Sequence, residues 1–452
     1  MEADSQDQRK ELPHVPDEIL TTIFFHLPRN TELVSFTLAS RRFRCLIEEF
    51  LYHTLEVRIT ARRERFDENE WSKLEYVYKL IDHLSRNRKF GLYTRDLSLL
   101  TEDVSPALFC KLGKKLFQYL PKLQKLNLSP VHAETIIPQT LPLHSLWLGF
   151  DPCEDRFLFE SVAQHFWRPS LRTLQLRNMF FTPELLQDVK RLFPLYPIRV
   201  KSNIEDIHMI GCFDESVGLC RGLSDATFVQ RLLVNVKNLR RFVFTNIRAG
   251  GATFEGDEAM HIGPGVPSDV AVGLDSFAET LEELVICVQK VRDKAIPTEF
   301  DLSERLSRKF TKLQSLAVPG YLASDDLSRA TPILCGEALE EIQLQFTVHI
   351  ADTPDLDIRH YETMPEMMTM KQISTAKNCG ILPRLKRVIW WHKPVSKYGV
   401  NAHRCNGSPE TQYMSILQSI RTQLELDGVA FEWISTRWLS DTPFGKRLYQ
   451  PL

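Results

Sequence analysis

The sequence contains no apolar run of about eighteen residues, the length a membrane-spanning helix requires. Its start, MEADSQDQRKEL, is polar and mixed in charge, with none of the apolar core of a secretory signal. Cytoplasm or nucleus is therefore the expected location. An excess of either charge is also missing: Lys+Arg number 56 against 58 Asp+Glu, a formal net charge of -2. Nothing in that balance pulls the chain toward nucleic acid or an anionic membrane, and neither is expected as a partner. The nine cysteines are odd in number and scattered from Cys45 to Cys405, which suits reduced thiols rather than a disulfide framework.

Catalytic signatures are absent as well. There is no G-x-x-x-x-G-K-[ST] loop to cradle phosphates, no G-x-S-x-G elbow and no H-E-x-x-H helix. Cys379, His392, His403 and Cys405 do not match a common zinc spacing. Asp352, Asp355 and Asp357 lack the glycine turn and distal glutamate of a calcium loop. The expectation is a protein without enzymatic activity, metal or cofactor.

What is present begins with VPDEILTTIFFHLP, Val15 to Pro28. On a 3.6-residue period Ile19, Leu20, Ile23, Phe24 and Leu27 form one apolar stripe, with Pro16 suited to the first helical position. ELVSFTLA follows, with Leu33, Val34 and Leu38 apolar and Thr31 as its expected cap; then RRFRCLIEEFLY, with Ser40 as its cap. Three short helices of about 40 residues cannot hide this much apolar surface, so a docking partner is expected.

The stretch from Leu12 to Val57 resembles an F-box, particularly the fungal type that continues into a Leu-Tyr-x-Thr-Leu segment. The resemblance implies that Val15, Pro16, Ile19, Leu20, Ile23, Phe24, Leu33 and Leu38 build or contact the surface that meets a Skp adaptor, and through it a cullin scaffold. Val15 departs from the family, which more often has leucine there.

Beyond a charged segment and a helix-like run over residues 58–91, one pattern recurs: apolar, two others, apolar, one other, apolar. It appears as LQKLNL from Leu123, LHSLWL from Leu143, LRTLQL from Leu171, IEDIHM from Ile204, LRRFVF from Leu239, LEELVI from Leu281, LQSLAV from Leu313, LEEIQL from Leu339 and LKRVIW from Leu385. Alternation at the last three positions is the period of a strand buried on one side. The pattern resembles a leucine-rich-repeat solenoid, in which each unit buries its strand face by stacking on its neighbours. The asparagine or cysteine expected three positions after the last apolar residue is replaced by Val131, Met179 and Ile247.

The expected fold is thus α/β: a polar, disordered tail over 1–11, an all-α F-box unit of three helices over 12–57, a linker and helix over 58–91, and an irregular repeat solenoid over 92–452. Insertions are expected near 248–275, rich in glycine and proline, and near 351–371, acidic and then rich in methionine.

Two functions from different classes fit this reading. One is a substrate-receptor subunit of a Skp, cullin, F-box ubiquitin ligase, the repeats holding a protein target. The other is a repeat scaffold with no ligase role. If the core-facing residues are the apolar ones, the residues between and beside them form the opposite face. Trp147, Arg177, His208, Arg241, Arg387, Ile389 and Trp391 on that row are the expected target contacts, being mostly of the types enriched at binding hot spots.

Overall fold

In the computed structural model the described residues are 15–26, 30–60, 69–102, 106–129, 137–150, 160–181, 191–193, 200–210, 213–214, 225–245, 273–287, 310–319, 336–346, 365–392 and 409–435. The chain is α/β and divides into two compact units, residues 1–128 with 134–143, and residues 129–133 with 144–452.

The first unit opens with helices α1 (Asp17–His26), α2 (Asn30–Ala39) and α3 (Arg41–His53). The Pro16 carbonyl accepts from the Leu20 N–H at 3.1 Å, so the proline stands at the cap rather than in the first turn. Helix α2 starts at Asn30, which puts Thr31 inside it instead of capping it. Ser40 caps α3 as expected, its Oγ accepting from the Arg42 N–H at 3.2 Å. Leu20, Phe24, Leu33 and Ile47 form the bundle core, flanked by Phe43, Leu46, Phe50 and Leu51. The Phe24, Phe36 and Phe43 rings meet tilted or edge-on with centroids 5.5, 5.8 and 6.0 Å apart, the arrangement aromatic quadrupoles favour.

Strand β1 (Thr54–Thr60) follows α3 directly, so Leu55 and Val57 at the end of the F-box-like stretch belong to a sheet. After it come α4 (Asn69–Arg86), α5 (Arg88–Tyr93), β2 (Asp96–Glu102), α6 (Pro106–Tyr119) and β3 (Lys125–Ser129). β1, β2 and β3 lie in sequence order, with Leu55 opposite Leu97 and Val57 opposite Leu99 in a parallel pair. Tyr52 and His83 both stack on Phe90, at 4.1 and 5.1 Å, and the Tyr52 hydroxyl meets His83 Nε2 at 3.1 Å. That stack ties α3, α4 and α5 together beneath the first strands.

The second unit carries β4 (Ser145–Gly149), α7 (Glu160–Phe166), β5 (Thr173–Arg177), β6 (Phe180–Phe181), β7 (Asp206–Ile210), β8 (Phe213–Asp214), α8 (Asp225–Val234), β9 (Arg241–Thr245), β10 (Glu283–Cys287), β11 (Ser315–Pro319), β12 (Glu341–Phe346), α9 (Pro365–Asn378), β13 (Arg387–His392), α10 (Pro409–Leu426) and β14 (Ala430–Ser435). Its main sheet runs β4-β5-β7-β9-β10-β11-β12-β13-β14, every pair parallel; β6 and β8 form a separate small pair. Parallel neighbours in chain order make a solenoid-like stack, each coil returning to lie beside the last.

The register aligns the repeat positions. Leu146, Leu174, Ile207, Phe242, Leu284, Leu316, Ile342 and Val388 stand side by side across the sheet, and all are buried. The row two residues on, from Leu148 to Trp390, is buried too, and so are the leading residues from Leu143 to Leu385. Strand β14 adds a further coil, Phe431 falling beside Val388. Helices α9 and α10 both end on a glycine at φ +74°, Gly380 and Gly428. The N–H of the residue after each glycine then reaches back, Ile381 to Ala376 O and Val429 to Leu424 O, each at 2.9 Å, a turn glycine enters without strain.

The described coils share a backbone device at the strand starts. The Arg172 carbonyl accepts from the N–H groups of Glu205 and Asp206, and the same doubling repeats from Glu205, Arg240, Glu282, Gln314 and Glu340 to the next coil, at 2.7 to 3.1 Å. Both lone pairs of each carbonyl are used, which links successive coils through the backbone at the strand starts.

Residues 1–11 and most of both insertions lie outside the described residues; Met370, in α9, is buried.

Candidate docking surfaces

The first candidate lies on α1 and α2. Leu20, Phe24 and Leu33, expected at an adaptor contact, instead face the bundle interior. The neighbouring residues do the opposite: Ile19 is 52% exposed, Ile23 48% and Leu38 85%, with Val15, Val34 and Phe36 also exposed. The physical reason is helical spacing. Leu20 and Phe24 are one i, i+4 pair, Ile19 and Ile23 another about 100° around the helix, and three short helices enclose only one of the two. Pro16 is exposed at the head of the face.

Arg42 fixes the start of this face. From α3 its Nη2 donates to the Val15 carbonyl at 2.6 Å and its Nε to Asp17 Oδ1 at 2.8 Å. A guanidinium fork suits this double grip because its donors are planar and fixed in direction. Nothing in the apolar pattern pointed to Arg42, since the cue is a polar residue spaced across two helices. Exposed Val34 was legible only as an apolar member of α2, and Phe36 was not singled out.

The second candidate is the face of the repeat sheet opposite the leucines. There the register sets Trp147, Gln175, His208, Val243, Val285, Ala317, Gln343 and Ile389 in one row. The expectation that this row faces solvent does not hold along its length. His208, Ile389 and Trp391 are buried, and Trp391 belongs to an apolar cluster with Val243, Val285, Cys287 and Ala317, against which Ile434 packs. Burial pushes the Cys287 thiol up to about 12, so it is inert as a nucleophile. Trp147 and Arg177 are half-buried and Arg241 is exposed.

The expected target contacts separate into two groups. Trp147, Arg177, His208 and Arg241 come together on β4, β5, β7 and β9. Arg387, Ile389 and Trp391 lie farther along the sheet, and Arg387 is engaged there by carboxylates: Nη1 to Glu341 at 3.1 Å, Nη2 and Nε to Glu432 at 2.6 and 3.1 Å. These bonds, to Glu432 first, raise its pKa.

At the first group, the Arg177 guanidinium lies 5.0 Å from the Trp147 ring centroid. The Gln175 amide, oriented with its oxygen toward Arg177, accepts from Nη2 at 2.8 Å and Nε at 2.5 Å. Burial, with Arg241 and Arg177 adding to it, pushes the His208 imidazole down to about 3, so it is neutral at physiological pH.

Among the described residues no group of three or more His, Cys, Asp or Glu is placed to hold a metal ion. Cys379 is exposed, while His403 and Cys405 lie outside the described residues. No helix among the described residues is long and apolar enough to cross a membrane. No family model and no curated protein matches the chain.

Proposed function

We propose that this chain is an F-box-type substrate receptor: α1 and α2 dock on a Skp adaptor, and the repeat unit holds a protein target for ubiquitin transfer by a recruited conjugating enzyme. The observation that carries the reading is the exposed apolar set Val15, Ile19, Ile23, Val34, Phe36 and Leu38 on two adjacent short helices. Isolated exposed apolar residues are ordinary on a protein surface, but a group of them on one small bundle marks an interaction site. Pro16 and the Arg42 grip set the path of the chain into that face. Such a receptor supplies proximity and needs no catalytic group of its own, and its working location is the cytoplasm or nucleus.

The variants that test this are those on the exposed stripe, since Leu20→Asp would break the bundle itself. Ile19→Asp with Ile23→Asp, and separately Leu38→Asp, put a charge where an apolar contact is desolvated, with an expected loss of at least about 100-fold in adaptor affinity. Circular dichroism and melting should be unchanged. Wild-type recovery of a purified Skp adaptor by the folded variants would remove the reading and leave the repeat scaffold.

A further inference from the structure

We propose that Trp147, Gln175, Arg177, His208 and Arg241 form a binding site for a carboxylate carried on a peptide segment of the target. The proposal rests on the receptor reading and names the chemistry that the repeat unit would recognise.

Trp147, Gln175 and His208 are direct neighbours on three adjacent strands. Arg177 stands opposite Gly149 in register, and its guanidinium lies over the Trp147 ring while it donates to Gln175. Arg241 enters from β9, its side chain half-exposed and paired with Glu283 at 3.1 Å. Asp206 stands beside Arg241 in register and accepts from the Thr173 hydroxyl at 3.3 Å. Trp147 and Arg177 are half-buried and Arg241 is exposed, while Gln175 and His208 beside them are buried.

The cluster holds polar atoms that find no partner among the described residues: the Trp147 Nε1–H and both ring nitrogens of His208, all buried. Native chains seldom leave such groups unmet, because a buried donor or acceptor cut off from water is destabilising. Their chemistry defines the complement. The indole N–H only donates, and a neutral imidazole offers one donor and one acceptor. A carboxylate oxygen satisfies the two donors, a peptide N–H next to it satisfies the imidazole acceptor, and two guanidiniums select the anion over a neutral amide.

The test uses the full chain labelled with 5-fluorotryptophan, the Trp147 resonance being identified by its loss in Trp147→Phe. Three probes are compared at one ionic strength: acetyl-Ala-Ala-Glu-Ala-Ala-amide, acetyl-pentaalanine with a free carboxyl end, and acetyl-Ala-Ala-Gln-Ala-Ala-amide. A saturable shift of the Trp147 signal is expected with a carboxylate probe, and the first two probes separate a side-chain carboxylate from a chain terminus. The glutamine probe should bind at least about tenfold more weakly, and Arg177→Gln should weaken the carboxylate probe by a similar factor with the other tryptophan signals in place. Because wild-type chain alone distinguishes the probes, the result stands even if Arg177→Gln fails to fold. No saturable shift with either carboxylate, or an equal response to the glutamine probe, would overturn the site. No adaptor is present, so loss of adaptor docking and loss of this site are read apart.

Discussion

Leu20 and Ile19 are adjacent, equally apolar and opposite in role: one fills the helical bundle and the other is offered to solvent. Periodicity identified the stripe that holds both, but only the packing of α2 and α3 against α1 decides which half is enclosed. Histidines show the same limit. His208 was legible only as a member of the repeat row and His165 not at all, yet burial, helped by Arg168 at His165 and by Arg241 and Arg177 at His208, pushes both down to about 3. The unfolded chain protonates these imidazoles near pH 6.5, whereas the folded chain keeps them neutral. Their contribution to stability is therefore complete above about pH 6.5 and falls as pH drops toward 3, by up to about 1.4 kcal/mol per unit for each. Asp206, its carboxyl raised by burial, works in the opposite sense, so the histidine contribution is isolated by comparison with His208→Gln. Urea unfolding should show a lower midpoint at pH 5 than at pH 7, with a smaller difference in His208→Gln. Equal midpoints in the wild-type chain would contradict the buried, neutral state.

Charged residues organise the strands at the scale of elements. Arg172, Glu205, Arg240 and Glu282 alternate in sign on successive coils, with Arg240 forked onto Glu282 at 2.9 and 3.1 Å. One residue later Asp206, Arg241 and Glu283 alternate as well; Glu341 and Arg387 pair farther along that row, and Arg387 also reaches Glu432, two residues beyond its register partner Ala430. Gln314 and Ser315, uncharged, separate the acidic coils on either side. These dipeptides sit inside the repeat pattern, so their positions were legible, but their pairing depends on a register that irregular spacing hides. The repeat strands themselves were legible because leucine at a period of two has one stable use, a face turned to a core. The coils of β1, β2 and β14 were not legible as repeats. Thr94 occupies a leading position with its hydroxyl bonded to the Tyr52 carbonyl at 2.8 Å, and Gly428 occupies another as a helix end. Arg387→Leu leaves Glu341 and Glu432 without their shared cation and should cost about 1.5–3 kcal/mol. Thermal melts in a cycle with Glu341→Gln should show coupling of at least about 0.5 kcal/mol; additive losses would mean the pair is ornamental.

On the scale of the whole molecule, the chain joins two kinds of surface on two compact units, an exposed apolar face on α1 and α2 and a polar cluster on the repeat sheet. Ile19, Ile23 and Leu38 lie outside the bundle core cluster, and neither Trp147 nor His208 belongs to the apolar core of the repeats. The proposed receptor role requires a Skp adaptor to cover the first face. Titration calorimetry of the purified full chain with a purified Skp adaptor, repeated at several temperatures, tests it most directly. The account predicts one-to-one binding with a Kd below about 1 μM and a negative heat-capacity change, the mark of apolar surface leaving water. Absence of binding at adaptor concentrations of about 50 μM, well above that Kd, would contradict it.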